Sequence, residues 1–488
     1  MSDQLIRKTG KGVAWNMLGQ AIQQAISFSM ILVLARLLDP KDFGIFAMVL
    51  VFTEFVGPLR EWGFQAALIQ KKEIDEEYKS TAFWAMCGTG LFLYLISVAC
   101  ASPVSLFFNN NQLKNILPVI AVSFLLSPFG GVQWAMLNRE MKFKVLAIRN
   151  TVAALGYGII TCVLAFKGFG VWALVWGFVI RELLWSAIFW VVYDWHPLFK
   201  FNKAKFKEMI RFGLNCIGSS ILGRIIDNID NLFVGKFLGA IKLGYYNLAF
   251  NTVSQPKTKF VYQITRVIFP AYSLIQHDDE KMKTAYQNTI KVIMMAITPL
   301  LAILFVSADS FVSVFYGSKW LPAVLPIQIM CFYAFLHTIA NPASSVFLSK
   351  GRPDIDLKIV SARLFLLVIF LYVGVWYGIA GVATAVLLHS IVTSLPTLYF
   401  ANRLLKIDNR RFYLTVLRYV CIYFVIIAFI AKINSLPFLH VAYLIKIWQL
   451  LINISLGLSA YCLIMYVFFR DDFFVIFKLA KKVFLKDR

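Results

Sequence analysis

Eight ionisable side chains fall inside stretches otherwise too apolar for them: Glu54 and Arg60, then Arg224, Asp227 and Asp230, then Lys257, Lys259 and Arg266. A charge at the centre of a hydrocarbon layer costs roughly 3 kcal/mol or more, so each must face a partner or a water-filled space. Guanidinium and ammonium groups gathered in such a space suit an anionic ligand, and planar guanidinium suits a phosphate or diphosphate. Arg60, Arg224, Lys257, Lys259 and Arg266 are therefore the candidate head-group contacts. Glu54, Asp227 and Asp230 either pair with these cations or take up a coupling proton or sodium ion. Asn16, Gln20, Gln23 and Gln24 recur at helical spacing, as do Asn215 and Asn231, giving a polar stripe that faces either the same cavity or a dry seam between helices. Arg149, Arg181 with Glu182, and Arg363 add further charge; Arg149 and Arg363 lie within reach of a boundary and are expected to snorkel. Neighbours such as Arg60 and Glu61 point in different directions on a helix and are not expected to neutralise each other.

No catalytic constellation accompanies these charges. The seven cysteines stand singly in apolar segments, without His partners at ligand spacing, so no metal site is expected. The five histidines are scattered, and Gly168-Phe169-Gly170 is too short for a nucleotide loop. The chain reads as a non-enzyme that uses no cofactor, with coupling to a proton or sodium gradient as the one energetic input expected.

The elements that hold these residues follow from composition. Of 488 residues 60% are hydrophobic and 15% charged, and mean hydropathy is +0.72, against an apolar share of roughly 45–50% in soluble proteins. Apolar runs long enough to span a ~30 Å hydrocarbon layer as helix follow one another from residue 13 to residue 469, about fourteen in all. The runs do not alternate, which excludes a β-barrel. The polar start up to Lys11 and the amide-rich segment after it differ from a cleavable leader, so a retained first helix is expected. Net charge is +23, but the cations cluster in every second connector: Lys71, Lys72 and Lys79; Arg139, Lys142 and Lys144; Lys200, Lys203, Lys205 and Lys207; Arg403, Lys406, Arg410 and Arg411. By the positive-inside rule both termini are cytoplasmic. The basicity thus reflects topology and attraction to anionic lipid, with no nucleic-acid partner.

The chain also repeats itself. Arg36-Leu37-Leu38-Asp39-Pro40 through Gly44-Ile45-Phe46 returns 200 positions later as Lys236-Phe237-Leu238-Gly239-Ala240 through Gly244-Tyr245-Tyr246. Ser105-Leu106-Phe107-Phe108 returns at an offset of 208 as Ser313-Val314-Phe315-Tyr316, and Gly170-Val171 at 211 as Gly381-Val382. Two parallel repeats of about six helices each are expected, forming two lobes around a central cavity, with two extra C-terminal helices. The expected division is an N-lobe over 1–199, a C-lobe over 200–405, and the added helices with a basic tail over 406–488. The whole is an all-α integral membrane protein.

The run Leu34-Ala35-Arg36-Leu37-Leu38-Asp39-Pro40-Lys41-Asp42-Phe43-Gly44, the segment Gly57 to Gln70, and Leu137-Asn138-Arg139-Glu140-Met141-Lys142-Phe143 resemble polysaccharide flippases of the multidrug/oligosaccharidyl-lipid/polysaccharide exporter superfamily, in the branch of colanic-acid-type and teichuronic-acid-type exporters. The resemblance covers most of the chain. It implies two six-helix lobes, a central cationic cavity, and alternating-access movement of a polyprenyl-pyrophosphate-linked oligosaccharide across the bacterial inner membrane for surface polysaccharide, with membrane lipids and polysaccharide assembly proteins as partners. It supplies no residue list, because cavity arginines vary between branches. The alternatives are a cation-coupled drug or small-molecule antiporter of the same superfamily, which calls for carboxylates and aromatics in the cavity, and a membrane polymerase or ligase, which calls for large outward connectors.

Overall fold

The computed structural model describes residues 3–71, 73–435 and 444–469; inside its helices the side chains of residues 3–18, 21, 58, 61, 212, 214–221, 255–267, 444 and 445 lie outside the description. No strand occurs among the described residues. Nine helical segments among them are long and apolar enough to cross a membrane, so the chain is an all-helical, multi-pass membrane protein. Contacts group it into two compact units, Met1–Gly244 and Tyr245–Arg488.

The first unit opens with α1 (Asp3–Leu37), α2 (Pro40–Glu61) and the short α3 (Phe64–Gln70), followed by α4 (Glu76–Phe107), α5 (Gln112–Leu126), α6 (Gly131–Arg139), α7 (Phe143–Phe166) and α8 (Val171–Val192). Next comes α9 (Lys203–Leu274), which breaks at Gly239, where φ is 82° and ψ is 177°. The arm of α9 ahead of that break belongs to this unit. Local chemistry sets the ends. Pro40 occupies the first turn of α2, where its missing N–H costs nothing, and the Asp42 carboxylate accepts the Asp39 N–H at 3.1 Å. The helix stops because Trp62 and Gly63 take left-handed φ of 40° and 70°. Pro128 sits in the 3-10 turn Ser127–Gly130 that separates α5 from α6. Helix α1 packs on α7, α7 on α8, α4 on α5, and α2 on α4, α5 and α8.

A polar belt closes the basic end of this unit. Lys205 bridges Asp75 and Glu77, the latter at 2.6 Å, and Lys71 pairs with Glu208 at 2.8 Å. Arg139 donates to the Lys71 carbonyl. Trp195 donates to Glu76 at 2.7 Å and Trp84 to the Leu198 carbonyl at 2.8 Å, so the connector ahead of α9 lies along the start of α4. The Lys205 ammonium holds Asp75 below the ordinary carboxylate range, and Asp75 in turn raises Lys205.

The second unit holds α9 from Tyr245 on, then α10 (Asp279–Phe311), α11 (Val324–Ala340), α12 (Pro342–Ser349), α13 (Pro353–Gly374), α14 (Gly378–Leu404), α15 (Asn409–Asn434) and α16 (Leu444–Phe468). Helices α13 and α14 form an antiparallel hairpin inside one apolar segment, with Gly374 against Gly381 and His389 bonded to the Arg363 carbonyl at 2.9 Å. The left-handed glycine that opens this last arm is Gly378, φ 72°. In backbone role it, rather than Gly381, answers to Gly170, φ 54°, which opens α8. The offset is then 208, the same as for the second repeated motif. Helix α16 runs antiparallel to α10 along a seam of small polar groups: Lys446 to Asp309 at 3.0 Å, Gln449 to Ser310 at 2.9 Å, Asn453 to Ser307 at 3.1 Å, and Tyr461 to the Met295 carbonyl at 2.7 Å. As Arg139 does in the first unit, Lys350 ends a split helix and reaches a carbonyl ahead of the next span's partner, here Gln276 at 2.6 Å, while pairing with Asp279 at 2.7 Å.

Candidate functional site

The first unit encloses a cavity of about 780 Å³. Its wall is built from helical faces whose spacing is plain once the neighbours are known: Thr53, Glu54, Gly57 and Arg60 on α2; Asn150, Ala153 and Ala154 on α7; Phe178, Arg181, Glu182 and Trp185 on α8; Gly223, Arg224 and Asp227 on α9. Intervals of one, three, four and seven residues place each set on one side of its helix. Gln23 of α1 completes the rim.

The charges in this wall balance. Three guanidiniums, Arg60, Arg181 and Arg224, stand with three carboxylates, Glu54, Glu182 and Asp227, among the described lining residues. Arg224 pairs with Glu54 across 170 positions of sequence. Arg181 donates to Glu182 at 3.0 Å, and its guanidinium lies 4.5 Å from the Phe178 ring. Adjacent residues on one helix thus do neutralise each other here, contrary to expectation, the long arginine side chain reaching the buried Glu182.

Behind Trp185 is a smaller cavity of about 190 Å³, to which Arg60 and Trp185 also contribute. Its distinctive group is Arg149, only 3% exposed, whose guanidinium carbon lies 3.8 Å from the Trp185 ring and 3.9 Å from the Phe189 ring. Its Nε donates to the Trp185 carbonyl at 3.3 Å and its Nη1 to Asn150 Oδ1 at 3.3 Å; Trp185 Nε1 donates to the same oxygen at 3.1 Å. Snorkelling was the sequence expectation for Arg149. The fold instead holds it between two aromatic faces, where a delocalised cation is attracted to the ring quadrupoles.

Helix α2 and the part of α9 up to Gly244 run antiparallel along the cavity wall. Gly44 abuts the backbone of Ala240 and Gly244 that of Pro40 at one end, Gly63 abuts Gly213 at the other, and Glu54–Arg224 spans the middle. The glycines allow backbone to approach backbone, which a Cβ at any of these positions would prevent. Between the ends, Gly57 and Gly223 line the cavity with open space above them.

Of the residues singled out in the sequence, Arg60, Arg224, Glu54, Asp227 and Gln23 come together in the cavity wall. Asp230 and Asn231 do not: both are 5% exposed, and Asp230 accepts the Asn231 N–H at 2.8 Å. Gln20 and Gln24 are half-buried on α1 outside that lining. The side chains of Lys257, Lys259, Arg266, Asn16 and Asn215 lie outside the description. Asn150 and Trp185 were missed; their intervals to Ala153 and Ala154, and to Arg181 and Glu182, were the available signal. No group of three or more metal-ligating side chains occurs among the described residues.

A multi-pass helical bundle with a charged chamber inside it has the architecture of a membrane transporter. The chain belongs to the polysaccharide biosynthesis protein family, whose sequence profile matches residues 33–325. It is 28% identical to the lipopolysaccharide biosynthesis protein WzxC of Escherichia coli (strain K12), over 80% of this chain and 80% of WzxC. It is 29% identical to the teichuronic acid biosynthesis protein TuaB of Bacillus subtilis (strain 168), over 75% of this chain and 76% of TuaB. Its fold is shared with the lipid II flippase MurJ in an inward closed conformation, at a TM-score of 0.77 and 16% identity over 93% of this chain and 99% of that one. A multidrug resistance MATE family transporter of the MOP superfamily, inward-facing, superposes at 0.61 with 15% identity over 79% of this chain and 96% of that one.

Proposed function

We propose that this protein is a flippase that moves an oligosaccharide, linked through a diphosphate to a polyprenyl carrier, across the bacterial cytoplasmic membrane for surface polysaccharide assembly. The observation that carries this reading is the 780 Å³ cavity with Arg60, Arg181 and Arg224 in its wall beside the Trp185 and Phe178 rings. Guanidinium forks suit diphosphate oxygens, and aromatic faces with amides such as Asn150 and Gln23 suit sugar rings. The protein needs only to shelter the polar head, whose bare transfer through hydrocarbon is prohibitive, while the carrier stays in lipid. The names of WzxC and TuaB, both polysaccharide biosynthesis proteins, support the cargo class.

In this reading about fourteen helices cross the membrane, with α1, α2 and both arms of α9 joining the more apolar spans, and both termini are cytoplasmic. The duplication divides the chain into repeats over 1–199 and 200–405 and an added pair over 406–488, a division of ancestry that differs from the packing boundary after Gly244. Alternating access moves the head group, Glu54 and Asp227 are the candidates to couple it to a proton or sodium gradient, and no bond is made or broken in the cargo. Lys257, Lys259 and Arg266 remain candidate head-group contacts.

The balance of carboxylates and guanidiniums favours one second reading, an antiporter of organic cations on the same architecture. A single assay separates the two. Purified protein in liposomes is given a fluorescent polyprenyl-diphosphate oligosaccharide or a small organic cation, with and without ion gradients. Head-group transfer above protein-free liposomes, lost in Gly57→Leu and Gly223→Leu chains that still fold, is the expected result. Cation transport with no head-group transfer under any gradient would leave only the antiporter.

A further inference from the structure

A cleft of about 450 Å³ in the first unit is unlike the cavity beside it: among the described residues its wall contains no ionisable side chain. Trp62, Phe64, Trp84, Phe92, Phe201 and Phe206 make most of it, with Phe64 stacked on Phe206 at 6.1 Å between ring centroids and Phe201 at 5.3 Å from Phe206. Along α4 it extends from Trp84 to Phe92, about 12 Å at the helical rise, starting two turns from the ionic belt of Asp75, Glu77 and Lys205. Gly88 lies on its floor with open space where a side chain would be.

The position of the cleft gives it meaning. Trp62 and Phe64 line it, while Gly63 between them lines the charged cavity. Ile210 and Phe206 of α9 line it too, and one turn on, Gly213 rests on Gly63. Charged chamber and apolar cleft are therefore separated at that corner by a crossing of two glycine backbones, with no side chain of either residue in the way. Two adjoining compartments, one charged and one lined mainly by aromatic rings, match a molecule whose charged head and apolar chain are covalently joined.

We propose that this cleft seats the proximal part of the isoprenoid chain of the lipid carrier while its head occupies the cavity, the Gly63–Gly213 crossing being where the two compartments join. The inference rests on the flippase reading and adds to it a chain-binding site. An isoprenoid is rewarded there by burial of methyl-branched carbon against aromatic faces, and the crossing need only part by a backbone's width to let the head–chain junction pass.

The test uses the full-length protein in liposomes with Gly88→Trp, which fills the cleft from its floor, and Leu106→Trp, an exposed position of α4 outside the cleft, as control. Two substrates carry the same fluorescent diphosphate oligosaccharide, one on a long polyprenyl chain and one on a two-isoprene chain. We expect Gly88→Trp to weaken apparent affinity for the long-chain substrate about tenfold, the effect of losing contact with one or two buried methylenes, while the short-chain substrate with Gly88→Trp, and both substrates with Leu106→Trp, stay within about twofold of wild type. A photo-reactive phenylalanine analogue at Phe92 is expected to capture radiolabelled polyprenyl diphosphate, and bulk phosphatidylglycerol is not expected to compete. Equal effects on both substrates, no effect on either, or capture of phosphatidylglycerol alone would overturn the site. Wild-type chains that transfer the head group while Gly88→Trp is indifferent would remove this inference and leave the flippase reading standing; wild-type chains that transfer nothing would remove that reading, and photocapture still reports on the cleft.

Discussion

Gly44 lies with its α-carbon against the backbone of Ala240, and the reciprocal contact of Gly244 with Pro40 stands beside it. Gly244 follows Gly44, and Ala240 follows Pro40, by the same 200 positions, so two copies of one motif dock on each other as members of a two-fold pair do. Residue types that look like simple repetition in the sequence thus form a self-complementary contact.

That contact leaves no room for a methyl group. Gly44→Ala and Gly244→Ala are each expected to destabilise the protein by about 1–3 kcal/mol through overpacking, seen as a lower unfolding temperature in detergent. Gly57→Ala and Gly223→Ala, which meet open space, are expected to unfold at or slightly above the wild-type temperature. Equal temperatures for all four variants would show that the approach is looser than the geometry requires.

The Glu54–Arg224 pair is half-exposed to the cavity, so its removal should affect transfer far more than folding. Glu54→Gln and Arg224→Gln are each expected to lower head-group transfer about tenfold, roughly the value of one charge-assisted contact. The swap of Glu54→Arg with Arg224→Glu separates two roles. A purely structural bridge would be rescued by the swap, whereas a cation that must meet substrate from α9 would not; liposome transfer by the double variant is expected to stay low.

Arg149 depends on shape as well as charge. Arg149→Lys keeps the charge but loses the flat guanidinium between Trp185 and Phe189, and about 1–3 kcal/mol of stability is expected to go with it. Chemical unfolding followed through tryptophan emission would measure this. Stability equal to wild type would mean that the sandwich contributes nothing beyond its charge.

The Asp75–Lys205 bridge predicts a pH window. Lys205 lowers Asp75 from its ordinary value of 3.8, so this stabilisation is complete above that value and is lost as pH falls through the lower folded value. Lys205 is raised from its ordinary 10.5 by Asp75 and Glu77, so its share is complete below 10.5 and lost as pH rises through the higher folded value. Asp75→Asn keeps an N-cap for α4 while removing the charge. The difference in unfolding temperature between it and wild type is expected to be flat from about pH 5 to pH 9 and to shrink as pH falls below 3.8; a difference that persisted undiminished in acid would assign the effect to the cap.

Much of the site was legible residue by residue. Glu54, Arg60, Arg224, Asp227 and Gln23 stand out because charge and amide are rare in apolar helices, and each lines the cavity. Asp230 stood out equally and an interval of three residues keeps it near the face of Asp227, yet it is buried against its own helix with the Asn231 N–H and lies outside the lining. Trp185 and Asn150 gave only the weak signal of their helical intervals, since a tryptophan and an asparagine in a membrane helix are ordinary until their neighbours are known.

Apolar run length, charge asymmetry between connectors and the 200-residue repeat are properties of the chain alone; the first was enough to establish an all-helical membrane protein, and the other two carry the proposed topology and duplication. Which charges meet was decided only by tertiary structure. Glu54 finds Arg224 across 170 residues, Arg149 finds two rings rather than water, and Gly63 finds Gly213, because the antiparallel register of α2 and α9 and the rotation of each helix about its axis are set by packing across seams that no local run of residues encodes.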